Sequence, residues 1–246
     1  DIRRTWETSH LLVWILAYKN LLITGSNGCV GQYLIDWFLK NTKFRLYLMV
    51  RDKSKLPLSV QTNARVKLII SDIRESHKYK NEISQINYLI HTATAWGNPR
   101  RTYEVNIKAF EELLEMLDIK KLEKIIYFST ASILDTNTEL MRESLIYGTE
   151  YIKTKYECYE RLRESSYAEK TFAIFPTLVF GGTLGRKSKY PVSYLTGGLK
   201  EINRINERRK DHLFFWLFAD LIFLKFLGQF DSCVCFVLWQ KIFSNC

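Results

Sequence analysis

Asn20 to Leu39 reads NLLITGSNGCVGQYLIDWFL. Leu21, Leu22, Ile23 and Thr24 make a short apolar run of strand length, and it leads directly into Gly25, Gly28 and Gly31, spaced Gly-x-x-Gly-x-x-Gly. Beyond Gly28 the apolar residues change to helical spacing, with Val30, Leu34, Ile35, Phe38 and Leu39 on one face. The stretch therefore predicts a strand, a tight glycine turn and a helix. In such a unit the first glycine permits the turn, the second lets the backbone approach a pyrophosphate, and the third lets helix and strand pack closely. The phosphates belong at the helix N-terminus, where unpaired N–H groups and the helix dipole favour negative charge. The flanking strand and helix favour a dinucleotide site over an ordinary turn.

The next strand is Arg45 to Val50 (RLYLMV), bounded by the polar run Arg51-Asp52-Lys53-Ser54-Lys55. In a dinucleotide fold the tip of this strand meets the adenosine ribose: an acid there bonds the 2′-hydroxyl of NAD, and an Arg accepts the 2′-phosphate of NADP. Arg51 comes first, and its planar, permanent charge suits a phosphate. NADP is the expected cofactor, Asp52 keeps NAD as the alternative, and solvent-facing loop charges are the bland reading.

Further strands are expected at Val66–Ile70, Asn87–His91, Lys124–Phe128 and Thr171–Phe175, the last ended by Pro176. Pro57 makes the crossover after the second strand a poor helix. Tyr103 to Leu117 predicts one amphipathic helix through Tyr103, Ile107, Phe110, Leu114 and Leu117. Thr136–Ser144 reads as a polar loop and Thr149–Arg163 as a helix. Strands that alternate with helices in this way call for an α/β fold with a parallel, doubly wound sheet. Thr92-Ala93-Thr94-Ala95 is small enough for a cofactor to lie across, and Ser129-Thr130-Ala131-Ser132 places hydroxyls where open α/β sheets bind ligands. His91, inside an apolar strand, reads as a core histidine.

The 246 residues suit one large domain; 47% are hydrophobic and 25% charged, a globular composition. The net charge is +10, and much of it lies in the basic segment Arg186–Asp211, read as a solvated surface. Nothing resembles a nucleic-acid-binding module. The cysteines, Cys29, Cys158, Cys233, Cys235 and Cys246, have neither paired disulfide spacing nor zinc-site spacing, so a reduced, cytoplasmic protein is expected. His10–Tyr18 is read as a packed extension. Leu213–Leu227 is too short for a bilayer span and carries Asp220 and Lys225; the aromatic C-terminal stretch leaves a peripheral membrane contact open, and a homodimer is equally open. The expected organisation is an N-terminal extension (1–19), a dinucleotide-binding domain (20–182) and a reduced or divergent substrate-side region (183–246).

Thr130, Tyr151 and Lys155 form the candidate catalytic set. A phenol titrates near pKa 10, and an ammonium one helical turn away favours the phenolate. Such a tyrosine gives or takes the proton of an alcohol or carbonyl while a strand-end hydroxyl holds the same oxygen. Tyr-x-x-x-Lys is frequent by chance in a chain with 14 tyrosines; its order behind the glycine turn and the fifth strand gives it weight.

These pieces together resemble the extended short-chain dehydrogenase/reductase superfamily, the NAD-dependent epimerase/dehydratase family, over about Asn20 to Gly182. Thr24 to Gly31 resembles its cofactor turn, Ser71-Asp72-Ile73 its adenine-contacting step, and His91-Thr92-Ala93 its His-x-Ala signature. Asn106 resembles the helix asparagine, Tyr151 to Lys155 the Tyr-x-x-x-Lys pair, and Phe175-Pro176 with Val179-Phe180-Gly181 the substrate-side loop. The resemblance implies a Rossmann fold, Thr130, Tyr151 and Lys155 as catalytic residues, and a small-molecule substrate. It implies cofactor contacts from Gly25, Asn27, Gly28, Cys29, Val30, Gly31, Arg51, Asp72, Ile73, Thr92, Ala93, Asn106, Tyr151, Lys155 and Pro176. Ala131-Ser132 stand where the 4,6-dehydratases place Asp-Glu after the catalytic Thr, so dehydration is disfavoured. An NADP-preferring oxidoreductase is the leading expectation, a nucleotide-sugar epimerase with retained NAD the second, and a non-catalytic dinucleotide-binding module the third.

Overall fold

A computed structural model describes residues 19–177 and 179. The readings of His10–Tyr18, Arg186–Asp211, Leu213–Leu227 and the three C-terminal cysteines lie outside the described residues. The chain runs β1 (Asn20–Thr24), α1 (Cys29–Asn41), β2 (Arg45–Val50), α2 (Leu58–Gln61), β3 (Val66–Ile70), α3 (Lys80–Ile83), β4 (Tyr88–His91) and α4 (Pro99–Tyr103). A π-helical turn (Glu104–Lys108) then leads into α5 (Ala109–Met116), β5 (Lys124–Phe128), α6 (Glu143–Tyr147), α7 (Glu150–Glu164) and β6 (Thr171–Ile174).

The six strands form one parallel sheet in the order β3-β2-β1-β4-β5-β6. This is the doubly wound Rossmann arrangement, and the order reverses between β1 and β4. Leu21, Leu22 and Ile23 are fully buried because β1 is central. Their alternation serves two cores. Leu21 and Ile23 pack with Tyr33, Leu34, Trp37 and Phe38 of α1 on one face. Leu22 packs with Leu89, Ile125, Phe110 and Leu113 on the other. Side chains of successive strand residues point to opposite faces, so a near-continuous apolar run suits a strand covered on both sides.

The expected helix from Tyr103 to Leu117 is present, inside one continuous helical run made of α4, the π-turn and α5. The periodicity of its apolar residues is real, but the backbone makes a π-turn at Glu104–Lys108. Asn106 lies within this turn and is 2% exposed. Pro57 does limit the second crossover, whose helix α2 has 4 residues. The loop expected over Thr136–Ser144 contains a bridge between Leu134 and Leu140 and the start of α6. Among the described residues no helix is long and apolar enough to cross a membrane.

Candidate active site

The glycine turn is held by the backbone and by β4. Gly25 has φ +69 and Gly28 N–H donates to its carbonyl at 2.9 Å. Thr92 Oγ1 donates to the Thr24 carbonyl at 2.7 Å, and Ala93 N–H donates to Thr24 Oγ1 at 3.3 Å. A Cβ on Gly25 would lie 2.6 Å from Thr92 Oγ1, and one on Gly31 would lie 2.4 Å from the Gly25 carbonyl oxygen. Only glycine fits at either position. Helix α1 starts at Gly28 with no side-chain cap and no acid in its first turn. Its leading N–H groups and the positive end of its dipole are therefore left for an external acceptor.

Beside this turn lies a cavity of about 450 Å³. Of the residues singled out in the sequence, Gly25, Asn27, Gly28, Arg51, Asp72, Ile73, Thr92 and Ala93 line it. Cys29, Val30, Gly31, Asn106 and Pro176 do not, and neither do Thr130, Tyr151 and Lys155. Arg51 stands on the wall at the tip of β2. Asp52 turns to cap Lys53–Lys55, accepting from the N–H and hydroxyl of Ser54 at 2.9 and 2.7 Å, which holds its carboxyl below the usual range. The Asp72 carboxylate accepts from Arg74 Nε and Nη2 at 3.0 and 3.1 Å, and this pairing lowers its pKa. Arg74 also reaches Glu104, which pairs with Arg100 at 3.0 Å. Asp72 is thus paired with Arg74 and Asp52 is turned off the cavity wall, and the cavity lining keeps a positive balance from Arg51 and Arg101.

Asn106 lies behind the cavity and braces it. Its Oδ1 accepts from the Ala95 N–H at 2.8 Å and from Thr94 Oγ1 at 3.1 Å. Its Nδ2 donates to the Ala95 carbonyl at 3.1 Å and to Thr154 Oγ1 at 3.0 Å. The asparagine therefore ties the loop after β4 to helix α7. Pro176 has a similar bracing role: its carbonyl accepts from Ala131 N–H at 3.0 Å and anchors the end of β5.

The candidate set Thr130, Tyr151 and Lys155 lies at the carboxyl end of β5 and on helix α7. Thr130 is 6% exposed and caps the turn Ala131–Ile133, with Oγ1 accepting from Ser132 N–H at 3.3 Å. Lys155 is 2% exposed; its Nζ donates to the Phe128 carbonyl at 2.7 Å. That nitrogen stands 4.8 Å from the Tyr127 ring centre and 6.0 Å from that of Tyr151. The Tyr151 ring lies parallel to Trp96, with centroids 4.6 Å apart. Burial pushes Lys155 down to about 8 and Tyr151 up to about 12. The sequence reading expected the ammonium to lower the phenol. Here the amine is turned to a backbone carbonyl, and loss of water from the phenol governs instead. His91 is a core residue: its Nδ1 is 3.0 Å from Thr24 Oγ1, its ring is 4.0 Å from that of Phe110, and burial keeps it neutral.

The family model for the NAD dependent epimerase/dehydratase family matches residues 21–187, more than half of the chain. The chain belongs to this family. UDP-glucose 4-epimerase of Rickettsia bellii is 27% identical over 124 residues, 46% of this chain and 36% of that protein. An uncharacterized membrane protein of Methanocaldococcus jannaschii is 24% identical over 150 residues, 56% of this chain and 45% of that protein. The chain thus spans well under two thirds of the curated relatives it matches. Among solved structures, UDP-N-acetylglucosamine 4-epimerase from Methanobrevibacter ruminantium, in complex with UDP-N-acetylmuramic acid, is similar with a TM-score of 0.57 at 18% identity, over 72% of this chain and 60% of that one. UDP-glucuronic acid 4-epimerase from Bacillus cereus, in complex with NAD, has a TM-score of 0.54 at 21% identity, over 66% and 58% of the two chains. At these identities the likeness is one of fold.

As an epimerase/dehydratase family member the chain can be tested for fit to a dinucleotide on its own atoms. The turn admits no Cβ at Gly25 or Gly31, the α1 amides lack a cap, and the cavity beside them carries net positive charge. These features fit a ligand with a pyrophosphate. Met49, Trp96, Arg101 and Val105 also line the cavity and escaped sequence reading. Trp96 had a local signal, an aromatic at the edge of the small run Thr92–Ala95. Arg101 and Val105 had none, because the positions of α4 and of the π-turn after it depend on the tertiary fold.

Proposed function

We propose that the chain is an NAD(P)-dependent oxidoreductase that moves a hydride between a dinucleotide and an alcohol or carbonyl substrate. The observation that carries this reading is the grouping of Thr130, Tyr151 and Lys155 at the sheet's carboxyl edge, one loop away from the glycine-turn cavity. Gly25, Asn27, Gly28 and the first amides of α1 would hold the pyrophosphate, Asp72 and Ile73 the adenine side, and Arg51 a 2′-phosphate. The bound nicotinamide supplies or accepts the hydride. Thr130 orients the substrate oxygen by its hydroxyl. Tyr151, protonated at neutral pH, gives its phenolic proton to that oxygen as a carbonyl is reduced. Lys155 would bond the nicotinamide ribose and supply positive charge beside the phenol.

The supports for NADP are the position of Arg51 on the cavity wall and the diversion of Asp52 to Ser54. The family and the neighbours described above favour a second reading, a nucleotide-sugar epimerase that keeps NAD through turnover. Absorbance and mass spectrometry of the purified protein separate the two: stoichiometric NAD carried through purification favours the epimerase, and freely exchanging NADPH the reductase. Substitution Tyr151→Phe tests both. A screen of sugar nucleotides, aldehydes and ketones should find turnover that falls by about 100-fold or more in this variant, the scale of a lost general acid, with dinucleotide binding retained. Undiminished turnover would remove Tyr151 from the chemistry.

A further inference from the structure

Trp96 stands between the dinucleotide cavity and Tyr151. Trp96 lines the cavity, whereas Tyr151 does not. The two rings are 4.6 Å apart with an interplanar angle of 18°. Although Trp96 is 50% exposed, its backbone is pinned on both sides. Ala95 is gripped through both its N–H and its carbonyl by Asn106. Asn98 caps α4, accepting from Arg101 N–H at 2.9 Å. Gly97 completes the bend with φ +91. Asn106 also bonds Thr154, so one side chain links the loop carrying Trp96 to the helix carrying Tyr151 and Lys155. A parallel aromatic pair adds about 0.5–1.5 kcal/mol beyond the area it buries, enough to favour one orientation of a half-buried phenol.

We propose that Trp96 is a positioning residue for Tyr151: its indole holds the phenol ring in one orientation and covers the ring face that water would otherwise reach. This rests on the assignment of Tyr151 as the acid/base group. An indole fits the role because it is flat, wide and rigid, and because it is presented by a loop fixed at both ends. A phenylalanine keeps the aromatic face; an alanine or leucine removes it.

Nitration by tetranitromethane gives a test that needs no substrate. It reports the access of reagent and water to each phenol, since the phenolate is the form that reacts and burial disfavours it, and Tyr147 is an internal reference at 83% exposure. Both tyrosines lie in the single tryptic peptide Glu143–Lys153, so fragment-ion spectra give their ratio directly. In the native chain and in Trp96→Phe, Tyr151 should react about 10-fold more slowly than Tyr147; in Trp96→Ala the two should come within about threefold, because the stacked face is opened. Trp96→Leu keeps bulk on the loop without an aromatic face and should behave as the alanine does, which guards against a variant that fails to fold. An unchanged ratio in both aliphatic variants overturns the proposal.

The second readout is catalytic. In whichever assay Tyr151→Phe loses turnover, Trp96→Ala should lower kcat by about 10-fold with the cofactor KM within about twofold, and Trp96→Phe should restore most of it, as expected for orientation of a reacting group. A rise in KM at constant kcat would make Trp96 a binding residue and overturn the positioning role. Full activity in Tyr151→Phe together with a changed nitration ratio would leave the shield intact and refute the acid/base assignment instead.

Discussion

Gly28 and Gly31 sit three residues apart in the same turn, yet their neighbourhoods differ. A Cβ on Gly31 would lie 2.4 Å from the Gly25 carbonyl and 2.8 Å from Ser26 Cα, both backbone atoms that cannot yield cheaply. A Cβ on Gly28 would meet only the Gly25 carbonyl, at 3.2 Å, and its φ of −80 suits any residue. Gly31→Ala should therefore cost roughly 2–4 kcal/mol, the range of a large overpacking defect, and broaden or abolish the thermal transition. Gly28→Ala should keep the thermal midpoint within a few degrees and lose dinucleotide affinity, because its methyl points where the phosphates approach. Calorimetry with and without NADPH distinguishes them; equal loss of stability in both would contradict this division. At Lys155 the residue-scale quantity is a charge without water. Its folded pKa of about 8 lies below its ordinary 10.5. Below about pH 8 the full cost of burying the ammonium is present, and as pH rises toward 10.5 the unfolded chain holds the extra proton, so stability rises. Relative to Lys155→Met, the native chain should gain up to roughly 3 kcal/mol between those pH values, discounted by any water that enters. Denaturant titrations of both proteins at several pH values measure it, and parallel pH profiles would refute the buried ammonium.

At the scale of elements, the π-turn at Glu104–Lys108 matters more than any regular helix. Asn106 lies within it and holds the loop at Thr94 and Ala95. π-turns inside helices are frequent at functional sites. Asn106→Ala removes the partner of the Ala95 N–H, the Ala95 carbonyl and Thr94 Oγ1, whereas Thr154 Oγ1 keeps the carbonyls of Glu150 and Tyr151. A cost of about 1–3 kcal/mol follows from partly buried groups left unpaired. Amide hydrogen exchange should speed up at Ala95 and Trp96 beyond the global loss of stability, and exchange that rises evenly over the whole chain would refute the brace. The sequence showed the apolar periodicity of this region, because the buried face is the same for the first and last turns. It did not show the π-turn, because one inserted residue shifts the phase without changing which residues are apolar.

At the scale of the whole molecule, the cavity is assembled from strand ends far apart in sequence. Gly25 follows β1, Arg51 follows β2, Asp72 follows β3 and Thr92 follows β4. The parallel sheet brings them to one edge, where the order of strands reverses. Arg51 is the cationic group at the β2 corner, so Arg51→Ala should weaken NADPH by about 10- to 100-fold, the worth of a charge-assisted phosphate contact, and NADH by about twofold or less. Fluorescence titration measures both, and equal losses would remove the NADP preference.

Alternation of strands and helices, the glycine spacing and the apolar runs decided the doubly wound sheet before any coordinate was known, since local periodicity and burial on both faces leave few other folds. The residue types of Thr130, Tyr151 and Lys155 were legible too, as an ordered set. Their electrostatics were not. Whether Lys155 faces a phenol or the Phe128 carbonyl, whether Asp52 or Arg51 meets the cavity, and which aromatic covers Tyr151 depend on groups that only folding brings together. A pKa or a hydrogen bond is set by distance and exclusion of water, and neither quantity exists along the chain until the sheet and its loops close around the site.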